Sequence, residues 1–323
     1  MRRAASSIAS TASDPSTRSP SASSPLSTPA AWRAPDPSQA VFRRSIYKKP
    51  AQLREMIEPG LITAAALDAV EAAIRPGITT LELDRIADDA IRARGAHSNF
   101  QLVPGYSHTV CASVNDEVVH GIPGPRVLEP GDIVSIDCGA ETPAGWNGDS
   151  ARTFIVPGEP ADPELVAQRH ELSDVTRGSM WAGIAALATS AHLGEVGATI
   201  QEHIEANPLP STGQPAGILR DYVGHGIGRS MHEAPTLFHY ATPARGAEIK
   251  PGLCICVEPM MTAGGEDVFV GDDDWTISTS DGSSGAHWEH SVAVHSGGIW
   301  VLTSPDGGAA GLAPYGVKPT PIP

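Results

Sequence analysis

Two aspartates open the chemical reading of the chain. Asp137 stands at the end of a β-branched run, in Asp-Ile-Val-Ser-Ile-Asp-Cys-Gly (132–139). A carboxylate there is costly if buried without a partner. Twelve residues later Asp149 follows, in Asn-Gly-Asp-Ser-Ala-Arg-Thr-Phe. Between them Thr142-Pro-Ala-Gly145 has turn chemistry, so a hairpin should bring the two carboxylates face to face on neighbouring strands. Two like charges so close are unfavourable unless a cation lies between them. Two solvated hairpin aspartates are the bland alternative, and this pair alone leaves both open.

Three further segments add donors. In Gly224-His225-Gly226-Ile227-Gly228 the flanking glycines would let the backbone approach a ligand and leave the imidazole accessible. His232 comes seven residues later, before Glu233. In Cys254-Ile-Cys-Val-Glu258-Pro259, alternation puts Cys254, Cys256 and Glu258 on one strand face. The thiols read as small buried hydrophobes before ligands. Glu289 enters the strand pattern His287-Trp-Glu-His290-Ser-Val-Ala-Val, with His290 beside it as a structural residue. Asp137, Asp149, His225, Glu258 and Glu289 together are four carboxylates and one imidazole. An oxygen-rich set of this kind suits hard or borderline divalent ions such as Mn, Fe(II) or Co better than a structural zinc. Four negative charges match two divalent ions, and two metals roughly 4 Å apart can hold a hydroxide between them for hydrolysis.

The elements needed to position these groups can be read around them. Helical periodicity covers 51–74 and 79–94, the second opened by a capping box of Thr79 with Glu82 and stopped at Gly95. Short β-type runs follow at 108–114, 132–140 and 150–156. Two helical stretches at about 162–190 and 195–206 precede a second β-rich region from about 220 to 303. Two such rounds predict an α+β domain with a central, mostly antiparallel sheet. The Gly- and Pro-rich tail after Ser304 is expected on the surface.

Composition sets the limits. The chain has 323 residues, 41% of them hydrophobic but only 5% aromatic, so Val, Ile, Leu and Ala must build the core. A net charge of −15 argues against nucleic-acid binding by the main body. No apolar stretch is long enough for a membrane span. Four cysteines without CxxC spacing read as free thiols in a reducing, cytoplasmic setting. Residues 1–40 hold 11 Ser, 9 Ala and 6 Pro, a composition that cannot bury enough apolar surface to offset ordering. The expectation is a disordered extension over 1–45 and a catalytic domain over 46–323. The extension reads first as an inert tail, with a ribosome contact or an organellar transit peptide as lesser alternatives.

At this point the motifs resemble the type I methionine aminopeptidases, within the pita-bread fold. The resemblance covers about residues 50–303. It rests on SVNDEVVHGIP (113–123), SIDCGA followed by NGDSARTF, GHGIGRSMHEAP (224–235), VEPM (257–260) and WEHSVAV (288–294), in order and with matching separations. It implies a monomeric enzyme that removes the first methionine from nascent polypeptides whose second residue is small. It implies two divalent ions, with Asp149 and Glu289 bridging both, Asp137 on one, and His225 and Glu258 on the other. It places His120 near the substrate's amino end and scissile nitrogen, and has His232 hydrogen-bond the scissile carbonyl. Glu258 would also move a proton from the nucleophilic water. Tyr106, Cys111 and Trp275 match positions that line a methionine pocket, and Met231 is expected to line it with them. Met231 stands where an aromatic often precedes the second histidine, Val119 stands where cysteine is common, and the Asp137–Asp149 hairpin is about one residue longer than in some members. The gap from His232 to Glu258 has no room for the insertion of the type II enzymes.

Two rivals belong to other classes. A proline-directed peptidase of the same fold usually carries a substantial N-terminal domain, which a low-complexity segment cannot supply. A non-catalytic binding module would typically have lost ligands, yet all five candidates are present.

Overall fold

The computed structural model describes residues 45–323; the extension inferred from composition lies, but for its last residue, outside the described residues. Among the described residues, the α-helices are α1 (Pro50–Glu55), α2 (Ile57–Ala73), α3 (Thr80–Arg92), α4 (Pro163–Ala186), α5 (Leu193–Ala206) and the short α6 (Ala309–Leu312). The first helical stretch read from the sequence is divided at Met56, which caps α1 and precedes α2. Thr79 and Glu82 close the expected capping box, and Gly95 ends the region with φ +75°. Leu83, Ala87 and Ile91 recur at four-residue spacing on α3, and all three are buried.

Strands β1 (His97–Ser98), β2 (Val110–Val114), β3 (Glu117–Val119), β4 (Ile133–Glu141) and β5 (Asn147–Ile155) belong to the first half. In the second half lie β6 (Gly217–Ile218), β7 (Gly224–Gly226), β8 (Glu233–Leu237), β9 (Cys254–Val257), β10 (Met260–Thr262), β11 (Val268–Val270), β12 (Ile277–Thr279), β13 (Gly285–His287), β14 (His290–His295) and β15 (Gly298–Val301). β4 carries β1 and β2 along one edge and β5 along the other, and β15-β14-β9-β7-β8 form a five-stranded sheet. Two three-stranded sheets, β13-β10-β6 and β11-β12-β3, flank them, and every named pairing is antiparallel.

Each half has its own core. Ile62, Leu67 and Val70 of α2 and Leu83 and Ile91 of α3 pack on Val110, Val134 and Ile136. Met180 and Ile184 of α4 and Val196 and Ile200 of α5 pack on Ile255, Val257 and Val292. Burying each such side chain contributes roughly 1.5–3 kcal/mol. The halves meet along β5: Glu289 and Ala151 exchange both backbone hydrogen bonds, at 2.9 and 3.4 Å. The tail departs in part from the expected surface segment, because Leu312 is fully buried in the second core and the Tyr315 hydroxyl donates to the Gly178 carbonyl.

Candidate metal centre

Asp137 and Asp149 come from the predicted hairpin, but its register corrects the expected juxtaposition. Asp137 lies opposite Ala151 and Asp149 opposite Gly139, so the carboxylates are diagonal neighbours on one face. Asp137 also sits in the middle of β4, with the strand running on to Glu141. The turn at Thr142–Gly145 forms as read, with the Gly145 N–H donating to the Thr142 carbonyl and φ +73° at Gly145. From across the sheet junction, Glu289 reaches the same place: one oxygen each of Asp137, Asp149 and Glu289 lie within 4.8 Å of one another, all buried.

His225 is held at the centre of β7. Its Nε2 is 3.2 Å from Glu258 Oε1 and 4.0 Å from Asp149 Oδ2, while its Nδ1 lies 3.0 Å from the Gly226 carbonyl. The flanking glycines have a different reason from the one read in the sequence. A Cβ on Gly224 would collide with the Cys256 carbonyl, and one on Gly226 with the Ala234 carbonyl, so strand packing demands them. Glu258 follows β9 directly, and its backbone N–H donates to His239 Nε2 at 3.2 Å. All five candidate ligands therefore converge, from β4, β5, β7 and the residues that follow β9 and precede β14.

The electrostatics of the cluster call for positive charge. Burial raises Asp137 to about 7, against a weaker opposing backbone hydrogen bond from Cys138. Burial also pushes Asp149, Glu258 and Glu289 well above the usual carboxylate range, and their mutual charges add to it. Among the described residues, Asp137 Oδ1, Asp149 Oδ1, Glu258 Oε1 and Glu289 Oε1 are buried and find no hydrogen bond. Unsatisfied carboxylate oxygens, three of them on residues grouped within 4.8 Å, fit divalent cations, which would satisfy them.

The histidines near this cluster are held below their usual pKa. His232 packs edge-on to His225, ring centroids 4.3 Å apart, and burial, then the charges of His225 and His120, hold it well below its usual value. Burial lowers His225 to about 4 and His120 to about 3. His120 adopts φ +62°, uncommon for a residue with a Cβ, and stacks edge-on with Tyr222.

The four expected pocket residues also meet. Tyr106, Cys111 and Met231 form one buried cluster, and Trp275 packs against it with its ring 5.1 Å from Tyr106. Tyr106 donates to the Val110 carbonyl at 2.6 Å, and its hydroxyl lies 3.3 Å from Cys111 Sγ. Phe100, Val103 and Ile122, which the sequence reading did not single out, also belong to or pack against the cluster. Ile122 lies within the HGIP motif, so its position was readable; Phe100 carries no such signal. His290, read as structural, bonds the Thr303 hydroxyl at 2.8 Å and packs against Trp181.

Comparison with known proteins gives the family of the chain. The model of metallopeptidase family M24 matches residues 54–296. Methionine aminopeptidase 1 of Mycobacterium tuberculosis (strain CDC 1551 / Oshkosh) is 45% identical over 263 residues, which cover 81% of this chain and 96% of that protein. The crystal structure of methionine aminopeptidase from Thermotoga maritima is 36% identical with a TM-score of 0.73, over 80% of this chain and 98% of that one. The enzyme from Rickettsia prowazekii is 31% identical with a TM-score of 0.73, over 80% and 99%. The α+β architecture is thus the pita-bread fold that the motifs implied. With its fold, its match over residues 54–296 and these identities taken together, the chain belongs to metallopeptidase family M24 and, within it, to the methionine aminopeptidases.

Proposed function

We propose that this chain removes the N-terminal methionine from nascent polypeptides whose second residue is small, with two divalent ions held by Asp137, Asp149, His225, Glu258 and Glu289. The observation that carries the reading is the convergence of four buried carboxylates, each with an oxygen that finds no hydrogen bond among the described residues, in a chain 45% identical to a methionine aminopeptidase. Asp137 would serve one ion and His225 and Glu258 the other, with Asp149 and Glu289 available to both. Bound Mn, Fe(II) or Co would supply positive charge and a water acidified to near neutrality.

The chain's own groups do the rest. Tyr106, Cys111, Met231 and Trp275 take the methionine side chain, an apolar and sulfur-tolerant surface suited to a thioether. His120 faces the amino end and the scissile nitrogen. His232 donates its single N–H to the scissile carbonyl oxygen and to the charge that develops there. A neutral imidazole has one such donor, and burial keeps His232 neutral. The Glu258 carboxylate accepts a proton from the attacking water and passes it towards the leaving amine.

The catalytic unit is residues 46–323, acting as a monomer in the cytoplasm. Residues 1–45 form an inert tail, with ribosome contact as the alternative use. Among the described residues no helix is long and apolar enough to cross a membrane.

The test is turnover of a Met-Ala-Ser peptide by metal-stripped protein after readdition of Mn, Fe(II) or Co, beside a Gly-Pro peptide. Metal-dependent release of methionine alone supports the reading. Cleavage of the Gly-Pro peptide instead would assign the site to a proline-directed peptidase, and a metal stoichiometry near zero without turnover would assign it to a binding module.

A further inference from the structure

A sixth potential donor lies against the cluster. Cys256 Sγ, a nitrogen of His225 and a carboxylate oxygen of Glu289 lie within 4.8 Å of one another, and all three residues belong to the buried wall of the site. Cys256 is fully buried on β9, opposite Ser291 of β14, with its Sγ 3.4 Å from the Ser291 hydroxyl. That hydroxyl is already committed, donating to the Asp149 carbonyl at 2.7 Å and accepting from the Asp149 N–H at 3.3 Å. The thiol is therefore fixed between strands and turned towards the ligand set. Glu289 is 2% exposed; its carboxylate takes a side-chain hydrogen bond from Cys256, while its Oε1 is buried and finds no hydrogen bond among the described residues, which leaves that oxygen available to a cation.

The donors thus fall into two overlapping sets that share Glu289. Asp137, Asp149 and Glu289 offer only oxygen, whereas His225, Cys256 and Glu289 offer nitrogen, sulfur and oxygen. Oxygen donors suit Mn and similar ions, while a thiolate selects softer ones. Three protein donors of mixed N, S and O type, with one position left open, are also the pattern of a tetrahedral zinc ion.

We propose that His225, Cys256 and Glu289 form a subsite for a thiophilic divalent ion, Zn2+ or Cd2+, so that Cys256 makes the metal preference of this centre depend on ion softness. The inference rests on the reading of His225 and Glu289 as metal donors. As the metal–sulfur bond forms, the thiol proton leaves to the buffer, and no oxidation state changes. An ion held in this way takes His225 and Glu289 from the oxygen-rich set. It therefore competes with hydrolytic loading rather than adding to it.

The experiment uses the full chain, stripped of metal and reloaded with one equivalent of Zn2+. X-ray absorption at the zinc edge should show a sulfur scatterer at about 2.3 Å. Cd2+ titration should give the ultraviolet thiolate-to-cadmium charge-transfer band. In Cys256→Thr the band should vanish and Cd2+ should bind at least tenfold more weakly, with Mn2+ affinity within about twofold of the parent. Cys254→Ala should keep the band. A zinc shell of nitrogen and oxygen alone would overturn the proposal, and the absorption measurement needs no variant, so a folding failure of Cys256→Thr leaves the question decidable. A band that survives in Cys256→Thr, or equal losses of Cd2+ and Mn2+ affinity, would overturn it as well. Methionine release with Mn2+ but no zinc–sulfur shell would sink the subsite and leave the proposed activity standing; absence of both would sink that activity too.

Discussion

Glu289 illustrates what single residues contribute. It is 2% exposed, is raised by burial and then by the neighbouring Glu258 and Asp137 carboxylates, and keeps one oxygen without a hydrogen bond among the described residues. Glu289→Gln keeps the shape and removes the charge. The bound metal per chain should fall, and methionine release should drop by more than about a hundredfold, beyond the usual effect of losing an outer hydrogen bond to a ligand. Metal analysis beside kcat/KM checks it; unchanged stoichiometry with full activity would remove Glu289 from the ligand set. His232→Ala should behave differently. Loss of one oxyanion donor should lower kcat by about 10²–10³ with metal content and KM little changed, and a change confined to KM would count against that role. At this scale the sequence was informative where side-chain type is unusual for its setting: a carboxylate in a β-branched run, or a histidine between glycines. Cys256 was harder to place. A buried cysteine is ordinarily a small hydrophobe, and only the pairing of β9 with β14 and β7 brings this one against His225 and Glu289.

Among the elements, the segment between His225 and His232 is fixed by a carboxylate outside the proposed site. Glu233 Oε1 accepts from the backbone N–H groups of Arg229 and Ser230, at 2.7 and 3.1 Å. Its Oε2 takes an ion pair at 3.1 Å from Lys48, whose side chain is only 8% exposed. Lys48 is itself anchored by its backbone N–H to the Gly252 carbonyl at 2.7 Å. This arrangement ties the chain before α1 to the segment that presents His232. Glu233→Ala would leave two backbone donors and a mostly buried ammonium without their partner, a loss of about 1–3 kcal/mol. The expected result is a lower melting temperature together with a several-fold lower kcat, since His232 is less firmly placed. Melting and steady-state kinetics test it, and a loss of stability with kcat unchanged would mean that the clamp holds the fold but not the catalytic group. Periodicity and caps revealed α3, α4 and α5 to within a few residues, because those signals are local. The break at Met56 and the diagonal register of Asp137 and Asp149 depend on packing between distant segments, which one stretch of sequence does not carry.

Across the whole molecule, the site exists because two separately cored halves meet along β5, where Glu289 pairs with Ala151 and Ser291 clasps the Asp149 backbone. The sequence suggested two rounds of helices and strands but not this junction, whose partners lie 138 residues apart and share no pattern. The junction concentrates buried ionisable groups, so stability should depend on pH in opposite senses for two groups of residues. Burial lowers His120, His239, His287 and His290 to about 3. The unfolded chain, with histidines near about 6.5, binds more protons over the interval between, so their contribution is lost as pH falls through it. Burial raises Asp137 to about 7, and raises Asp149, Glu258 and Glu289 well above the usual range. Here the folded chain binds the extra protons, so their contribution is fully present below the unfolded carboxylate pKa and is lost as pH rises towards the folded values, which for Asp137 is about 7. Without metal, the two contributions oppose each other up to about pH 6.5, and above it only the carboxylate loss remains, so stability should fall towards alkaline pH. Divalent ions neutralise the ionised carboxylates and remove only the alkaline loss. Melting curves of chelated and Mn2+-loaded protein from pH 5.5 to 8 should show a metal-induced rise that is small in acid and grows steadily with pH. A rise of equal size at every pH would mean that the ions bind somewhere other than these four carboxylates.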